Sequence, residues 1–251
     1  MDVSCLCGTV TGKVKLCIST SNAAGLSLSH SDVDRHSTGL LCASYCPIEQ
    51  PDSLKGTKER YEVDGYTRYF CSVCGCHIFR SRPRGPETTW EVATGVIDQE
   101  ANSSDNIDLR FVKHTSVVDT KDGGISIWLR TVGDLTLEAL ENAEPAVDDK
   151  AKRKLHESSN VSSTVLPASC ACGTVSFHIT RPNEESFVPH SGYPDLQYAA
   201  CAHSPEFMRN PKDEKWWVRA DGTKYLAGTC ACRSCRLISG FKIQTWTFVP
   251  R

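Results

Sequence analysis

Apolar residues along the chain occur in short alternating or continuous runs rather than at helical spacing. The runs are rich in β-branched and aromatic residues and are bounded by glycine, proline and polar residues, a pattern typical of short strands. A stretch at 135–143 has the spacing of a short helix. The predicted strands are residues 10–18, 40–48, 88–96, 125–129, 175–180 and 241–249. The pattern therefore predicts a mainly β fold.

The first strand follows a phrase that occurs twice. Ser-Cys-x-Cys-Gly-Thr-Val occupies residues 4–10 and returns at residues 169–175. Glycine at this point of each copy can take a positive φ and turn the backbone sharply. The repeat predicts a first domain at 1–143 and an incomplete second domain at 168–251. Between them, residues 144–167 are charged and then serine-rich, as expected of an exposed linker.

Composition narrows the classes of function. The formal charge of the 251-residue chain is −2, with 28 Lys and Arg against 30 Asp and Glu, which argues against a nucleic-acid or membrane-surface binder. We find no apolar run long enough to span a bilayer and no signal peptide, so we expect a cytoplasmic protein. In such a compartment, fourteen cysteines indicate metal thiolates rather than disulfides.

Two cysteine pairs in the first half have the spacing of a closed zinc site. Cys5 and Cys7 lie on the first turn, and Cys71 and Cys74 lie on a Cys-x-x-Cys-Gly turn within aromatic strand sequence. Two thiolate pairs on distant turns are the usual composition of a structural four-cysteine site. Cys76 follows Cys74 closely enough to compete as a ligand, but a small buried residue on a strand is the preferred interpretation. Four other cysteines have no partner at ligand spacing, and we expect them to be buried thiols: Cys17, Cys42, Cys46 and Cys201.

A third group lies near the end of the chain. Cys230, Cys232 and Cys235 can place three sulfurs on one ion, and Arg233 and Arg236 alternate with them. Three protein ligands leave the fourth tetrahedral position open, as in catalytic zinc sites. A closed structural site with a fourth cysteine elsewhere remains the alternative.

The first half carries a segment that aligns with this group. Ser29, Ser31 and Asp34 stand where the second half has its three cysteines. His30, Asp34 and His36 are a conceivable His₂Asp metal site, but a solvated polar loop is the preferred interpretation.

The order of these motifs resembles the family of the glutathione-dependent formaldehyde-activating enzyme and centromere protein V, in a tandem arrangement similar to fungal members. The phrase at residues 89–96 strengthens the resemblance. The family resemblance implies an Mss4-like fold with two zinc sites. A structural Zn²⁺ would lie on the four cysteines of the first half, and a second Zn²⁺ would lie on Cys230, Cys232 and Cys235, near a glutathione site. Arg236 is then a candidate partner for a glutathione carboxylate, a surface ion pair being the alternative.

The chemistry implied by the resemblance is the making or breaking of a carbon–sulfur bond in a glutathione adduct. The chain departs from the family pattern twice: copy one lacks the three active-site thiols, and copy two lacks a second Cys-x-x-Cys-Gly turn to join Cys170 and Cys172. We therefore expect a zinc-dependent lyase acting on a small thiol or carbonyl substrate, with no nucleic-acid or membrane partner. A non-catalytic zinc scaffold and a piece of a longer two-domain enzyme are the alternatives.

Overall fold

The computed structural model describes residues 1–17, 25–53, 55–98, 109–139 and 165–250, without the side chains of 58–60. It is mainly β, as predicted. Residues 144–164 of the predicted linker lie outside the described residues. Within the described part of the chain, no helix has the length and apolar character needed to cross a membrane.

Strands and helices are short throughout. The strands are β1 Asp2–Ser4, β2 Thr11–Lys13, β3 Gly25–Ser29, β4 Tyr45–Ile48, β5 Thr57–Val63, β6 Tyr66–Cys71, β7 His77–Arg84, β8 Glu87–Ala93, β9 Arg110–Thr115, β10 Thr131–Val132, β11 Leu135–Thr136, β12 Glu138–Ala139, β13 Val165–Ser169, β14 Ser176–Thr180, β15 Val218–Arg219, β16 Lys224–Tyr225, β17 Ala227–Cys230 and β18 Gln244–Thr247. The α-helices are α1 Asp32–Thr38, α2 Pro205–Met208 and α3 Arg233–Ser239. The 3₁₀ helices are Thr94–Val96, Val117–Asp119, Gly124–Ile127, Glu184–Phe187 and Ala200–Ala202.

Contacts divide the chain into two compact units that do not coincide with the two halves of the repeat. Unit 1 comprises Met1–Ser159, Cys170–Gly173 and Thr229–Thr245, and unit 2 comprises Asn160–Ser169, Thr174–Gly228 and Trp246–Arg251. Unit 1 therefore contains both predicted metal groups, including the three cysteines near the end of the chain.

A five-stranded antiparallel sheet forms the centre of unit 1, in the order β4-β8-β7-β6-β5. Alternation along β7 and β8 buries Ile78, Trp90 and Val92 in a core that also takes in the β1–β2 hairpin. A second sheet of three parallel strands has the order β12-β9-β3 and adds Leu28 and Phe111 to that core.

Helices α1 and α3 lie at corresponding positions of the two aligned segments and have the same length. Each is preceded by a residue from the aligned segments, Ser31 for α1 and Cys232 for α3, and each ends at a glycine with positive φ. Gly39 has φ 71° and Gly240 has φ 87°, and the N–H of each closes the last turn of its helix. The segment predicted to be a polar loop in the first half is therefore a capped helix.

Helix α3 packs against the central sheet of unit 1. The N–H of Gly95 donates to the carbonyl of Gly240 at 2.8 Å, and the N–H of Leu6 donates to the carbonyl of Leu237 at 3.2 Å. Phe241 is 1% exposed and lies edge-on to Tyr45, with ring centroids 5.2 Å apart. The end of α3 is thus part of the core of unit 1.

Unit 2 has a smaller core. Trp216 and Trp217 are buried there and pack with Val218, Tyr225 and Phe248. The β13–β14 hairpin repeats the register of the first one, since Ser169 pairs with Ser176 as Ser4 pairs with Thr11.

Several expectations from the sequence are wrong. The helix predicted at 135–143 is replaced, in its described part, by strands β11 and β12, and the strand predicted at 125–129 is largely a 3₁₀ helix. Cys42, Cys46 and Cys76 are buried, but Cys17 and Cys201 are exposed. Both exposed cysteines lie outside the strands, so no sheet face covers their side chains.

Candidate metal centres

Four sulfurs of unit 1 converge between two turns. The ligand atoms of Cys5, Cys7, Cys71 and Cys74 all lie within 4.8 Å of one another. Among them, Cys5 Sγ and Cys7 Sγ are 3.5 Å apart, and Cys71 Sγ is 3.6 Å from Cys5 Sγ and 3.5 Å from Cys7 Sγ. Tetrahedral zinc with Zn–S bonds of about 2.3 Å separates its sulfurs by roughly 3.8 Å. The group therefore has the dimensions of a zinc site.

The backbone around this group is arranged to receive negative sulfur. The N–H of Val10 points at Cys5 Sγ and that of Val73 at Cys71 Sγ, both at 3.4 Å. The Thr9 hydroxyl, 3.2 Å from Cys7 Sγ, lowers the pKa of Cys7 to about 6 when it donates to the thiolate. Burial raises the pKa of Cys71 to about 12. A divalent cation would hold all four groups as thiolates, since metal binding displaces their protons.

Cys76 follows this group closely but does not belong to it. Its side chain is fully buried, its thiol faces the carbonyl of His77 at 3.5 Å, and burial raises its pKa. This confirms the prediction of a small buried residue rather than a ligand, although Cys76 directly precedes β7 and does not lie in a strand.

The second group comprises the three sulfurs at the start of α3. The ligand atoms of Cys230, Cys232 and Cys235 lie within 4.8 Å of one another, and no fourth His, Cys, Asp or Glu of the described residues joins them. Cys232 is exposed and the other two are half-buried. The Ser234 hydroxyl lies 3.3 Å from Cys232 Sγ and lowers the pKa of Cys232 to about 6, whereas burial raises that of Cys235 to about 12. The donor set and its spacing fit zinc with one position open.

Arg236 is hydrogen-bonded to the segment that follows strand β8. Its Nη1 donates to the carbonyls of Gly95 and Ile97, the latter at 3.1 Å. These bonds fix α3, and with it the three cysteines, against the 3₁₀ helix at Thr94–Val96. Arg236 Nη1 therefore binds backbone carbonyls and not a carboxylate in a surface ion pair. A contact between Arg236 and a glutathione carboxylate stays a prediction.

The matching positions of copy one form a buried ionic cluster. Asp34 Oδ1 accepts hydrogen bonds from Arg68 at 2.7 Å and Arg80 at 3.3 Å. Arg68 also donates to the Tyr45 hydroxyl at 2.9 Å, and Arg80 pairs with Glu91 at 2.5 Å. Burial opposes ionisation of Asp34, but the two arginines outweigh it and hold its pKa at about 2.

Ser31 and His30 are likewise engaged within copy one. Ser31 Oγ accepts from the N–H of Asp34 at the start of α1. His30 is fully buried, with Nε2 2.9 Å from Nδ1 of His114, and burial lowers its pKa to about 4. Of the described residues, His30, Asp34 and His36 do not form a metal-binding group, so the His₂Asp alternative is not supported. The solvated loop is also wrong, because the segment is a helix whose Asp34 is buried.

The remaining Cys-x-Cys pair lies on the turn between β13 and β14. Cys170 Sγ and Cys172 Sγ are 3.3 Å apart, and neither belongs to the metal-binding groups of the described residues. The N–H of Ala171 donates to the carbonyl of His36 at 2.9 Å, which holds this turn at α1.

Models of known protein families gave no match to this chain, and no curated protein is significantly similar to it. The family resemblance therefore rests on the motifs and on the two cysteine groups that the fold assembles.

Proposed function

We propose that this chain is a zinc-binding protein of Mss4-like fold and cytoplasmic location that catalyses carbon–sulfur bond formation or cleavage in glutathione adducts, at Cys230, Cys232 and Cys235. The observation that carries the proposal is the three-sulfur group itself. Its cysteines offer three ligands on an accessible turn, and the described residues supply no fourth. A bound Zn²⁺ would act there as a Lewis acid toward a substrate sulfur or carbonyl oxygen.

The proposed reaction adds the sulfur of glutathione to the carbonyl carbon of formaldehyde. The carbon–sulfur bond forms as the carbonyl electron pair moves to oxygen, which takes the proton that the thiol gives up. The reverse reaction returns both reactants from S-hydroxymethylglutathione. In either direction the protein holds the reactants together, while Arg236 keeps the cysteine turn in place.

A non-catalytic zinc scaffold is favoured by one specific observation. At the matching site of copy one, Asp34 and two arginines satisfy one another, which leaves no thiol to hold a catalytic ion. Copy one then contributes the structural zinc site and the sheet, and any turnover belongs to the three-sulfur group alone.

Bound zinc and turnover separate the two functions. We expect two Zn²⁺ per full-length chain and measurable turnover of S-hydroxymethylglutathione. Cys232→Ser should lose one zinc and all turnover while the circular dichroism spectrum of the wild type is retained. Cys201→Ser, which removes another exposed thiol, is the matched control and should retain both.

One zinc per wild-type chain with no turnover of glutathione adducts would overturn the proposal in favour of the scaffold. Two zincs with no turnover would also end the enzymatic interpretation, because the site would then be loaded and inactive.

A further inference from the structure

Arg236, which the family resemblance suggests as the partner of a glutathione carboxylate, is already engaged within unit 1. Its Nη1 donates to the carbonyls of Gly95 and Ile97, and the side chain is half-buried. The other arginine of the cysteine segment is Arg233, the first residue of α3. Arg233 is exposed and directly follows the exposed Cys232. Within the part of the chain that the structure describes, Arg233 makes no hydrogen bond or ion pair.

The internal repeat shows that Arg233 reverses the charge found at the same position of copy one. The aligned segments match Arg233 with Asp32 and Arg236 with Arg35. In copy one, Asp32 Oδ1 pairs with Arg35 Nη2 within α1, so the two charges balance each other. In copy two, both positions are arginine, and the first turn of α3 contains no acidic residue. The positive charge of Arg233 therefore has no carboxylate on its own helix to balance it.

Neither helix stability nor folding stability accounts for an arginine at the first position of α3. Acidic residues are favoured in the first turn of a helix, and basic residues are favoured in the last turn. An exposed charge also contributes little to the free energy of unfolding, because water hydrates it. One role other than substrate binding is to balance the metal group, since three thiolates and one divalent cation carry one excess negative charge. The experiment has to separate these two roles.

We propose that Arg233 binds a carboxylate of the thiol substrate whose sulfur enters the three-sulfur group. The inference rests on the proposed function for its substrate, and it selects thiols that carry a carboxylate over neutral thiols. A guanidinium group offers a carboxylate two parallel N–H donors. The Cα atoms of Cys232 and Arg233 are neighbours in the chain, about 3.8 Å apart, and an extended tripeptide spans about 10 Å. One ligand of this size can therefore reach both side chains.

The carboxylate contact can be measured without turnover. Isothermal titration calorimetry of the full-length, zinc-loaded chain compares glutathione with glutathione diethyl ester, which keeps the thiol but has both carboxylates blocked. We expect the wild type to bind glutathione about tenfold more tightly than the ester, as for one charge-assisted hydrogen bond. Arg233→Gln should remove this preference by weakening the binding of glutathione alone. Arg233→Lys, which keeps the charge but not the paired donors, should recover part of the preference.

Two other arginine variants are the controls, and the zinc content is measured for every variant. Arg84→Gln removes another exposed arginine of unit 1 and should leave both affinities unchanged. Arg236→Gln should lower the zinc content, because it releases α3 from the carbonyls of Gly95 and Ile97. Arg233→Gln should keep the zinc content of the wild type.

The proposal is overturned if the wild type binds the ester as tightly as glutathione. It is also overturned if Arg233→Gln weakens both ligands equally or loses zinc, because the arginine would then serve the metal group.

Turnover separates this proposal from the lyase reaction. In the active protein, Arg233→Gln should raise the KM for S-hydroxymethylglutathione about tenfold and leave kcat within about twofold of the wild type. A wild type that prefers glutathione over the ester but shows no turnover would refute the lyase reaction and support the carboxylate site. Turnover without any preference for the carboxylate would refute the role of Arg233 alone.

Discussion

Replacing Asp34 by Asn tests the buried ionic cluster most directly. Asparagine keeps the shape of the side chain but removes the charge that Arg68 and Arg80 share. Arg68 is 2% exposed, and its other side-chain partner of known distance is the Tyr45 hydroxyl. The substitution therefore leaves a buried guanidinium without its counter-charge, whereas Arg80 keeps Glu91.

The size of the effect can be worked out in two ways. The pKa of Asp34 falls from 3.8 to about 2 despite burial, and at about 1.4 kcal/mol per pKa unit this corresponds to about 2.5 kcal/mol in favour of the charged form. Breaking a buried ion pair by removing one partner costs about 3–5 kcal/mol, because the remaining charge stays desolvated. We expect Asp34→Asn to lower the free energy of unfolding of unit 1 by about 3–5 kcal/mol.

Urea unfolding at pH 7 with zinc present is the assay, followed by tryptophan fluorescence, to which Trp90 contributes from unit 1 and Trp216 and Trp217 from unit 2. Asp98→Asn, at an exposed carboxylate, is the control and should change stability by less than about 0.5 kcal/mol. Adding Arg68→Met to Asp34→Asn should recover most of the loss, since an apolar replacement of the whole pair is often neutral.

The dependence on pH follows from the same shift. The pKa of Asp34 is lower in the folded state than in the unfolded state. Its contribution to the free energy of unfolding is therefore fully present above the unfolded pKa near 3.8, and it is lost as the pH falls towards about 2. A cost below about 1 kcal/mol for Asp34→Asn, or strict additivity with Arg68→Met, would refute the role assigned to the cluster.

Three further predictions concern the metal groups and α3. Cys74→Ser should leave unit 1 largely unfolded in far-ultraviolet circular dichroism, because the four-sulfur group joins distant segments; a native melting temperature would contradict this. Gly95→Ala should displace α3 and reduce zinc binding at its cysteines, since an added Cβ would lie 2.4 Å from the Phe241 nitrogen; Gly12→Ala meets nothing within 4 Å and should match the wild type. Mild chelation should remove one zinc, that of the half-exposed three-sulfur group, before the other; simultaneous loss of both would contradict the assignment.

The four-sulfur group could be predicted from the sequence because paired cysteines indicate a shared metal ion however far apart the pairs lie along the chain. Cys5 and Cys71 are far apart in sequence, yet paired cysteines on two turns indicate a common ion. Hydrophobic patterning likewise predicted the mainly β fold, although several strands are shorter than the runs that predicted them.

The packing of α3 on the sheet of copy one could not be predicted in this way. It depends on the close approach of two backbones: a Cβ on Gly240 would lie 2.1 Å from the carbonyl oxygen of His77, and one on Gly95 would meet Gly240 and Phe241. Each glycine by itself indicates only a turn or a small residue. Their contact is a property of the folded surfaces.

The polar-loop prediction for residues 29–39 was wrong for a related reason. A run of serine, aspartate and histidine indicates solvent exposure unless partners for the charges are known. The partners are Arg68 and Arg80, which lie opposite each other on β6 and β7. Strand register, which single-sequence patterning leaves open, brings them to Asp34.

The site at helix α1 balances a buried negative charge, and the site at helix α3 would balance a thiolate in a different way. In α1, the fixed charges of Arg68 and Arg80 compensate Asp34, and their bonds fill the site. In α3, Cys235 stands at the matching position, and a thiolate there requires a cation held with Cys230 and Cys232. The two guanidinium groups leave no coordination position that a substrate could occupy. A cation held by three thiolates would have a fourth position open to a substrate. The chemistry that we propose on an incoming sulfur or carbonyl would therefore take place at α3, with copy one supplying the sheet on which that helix rests.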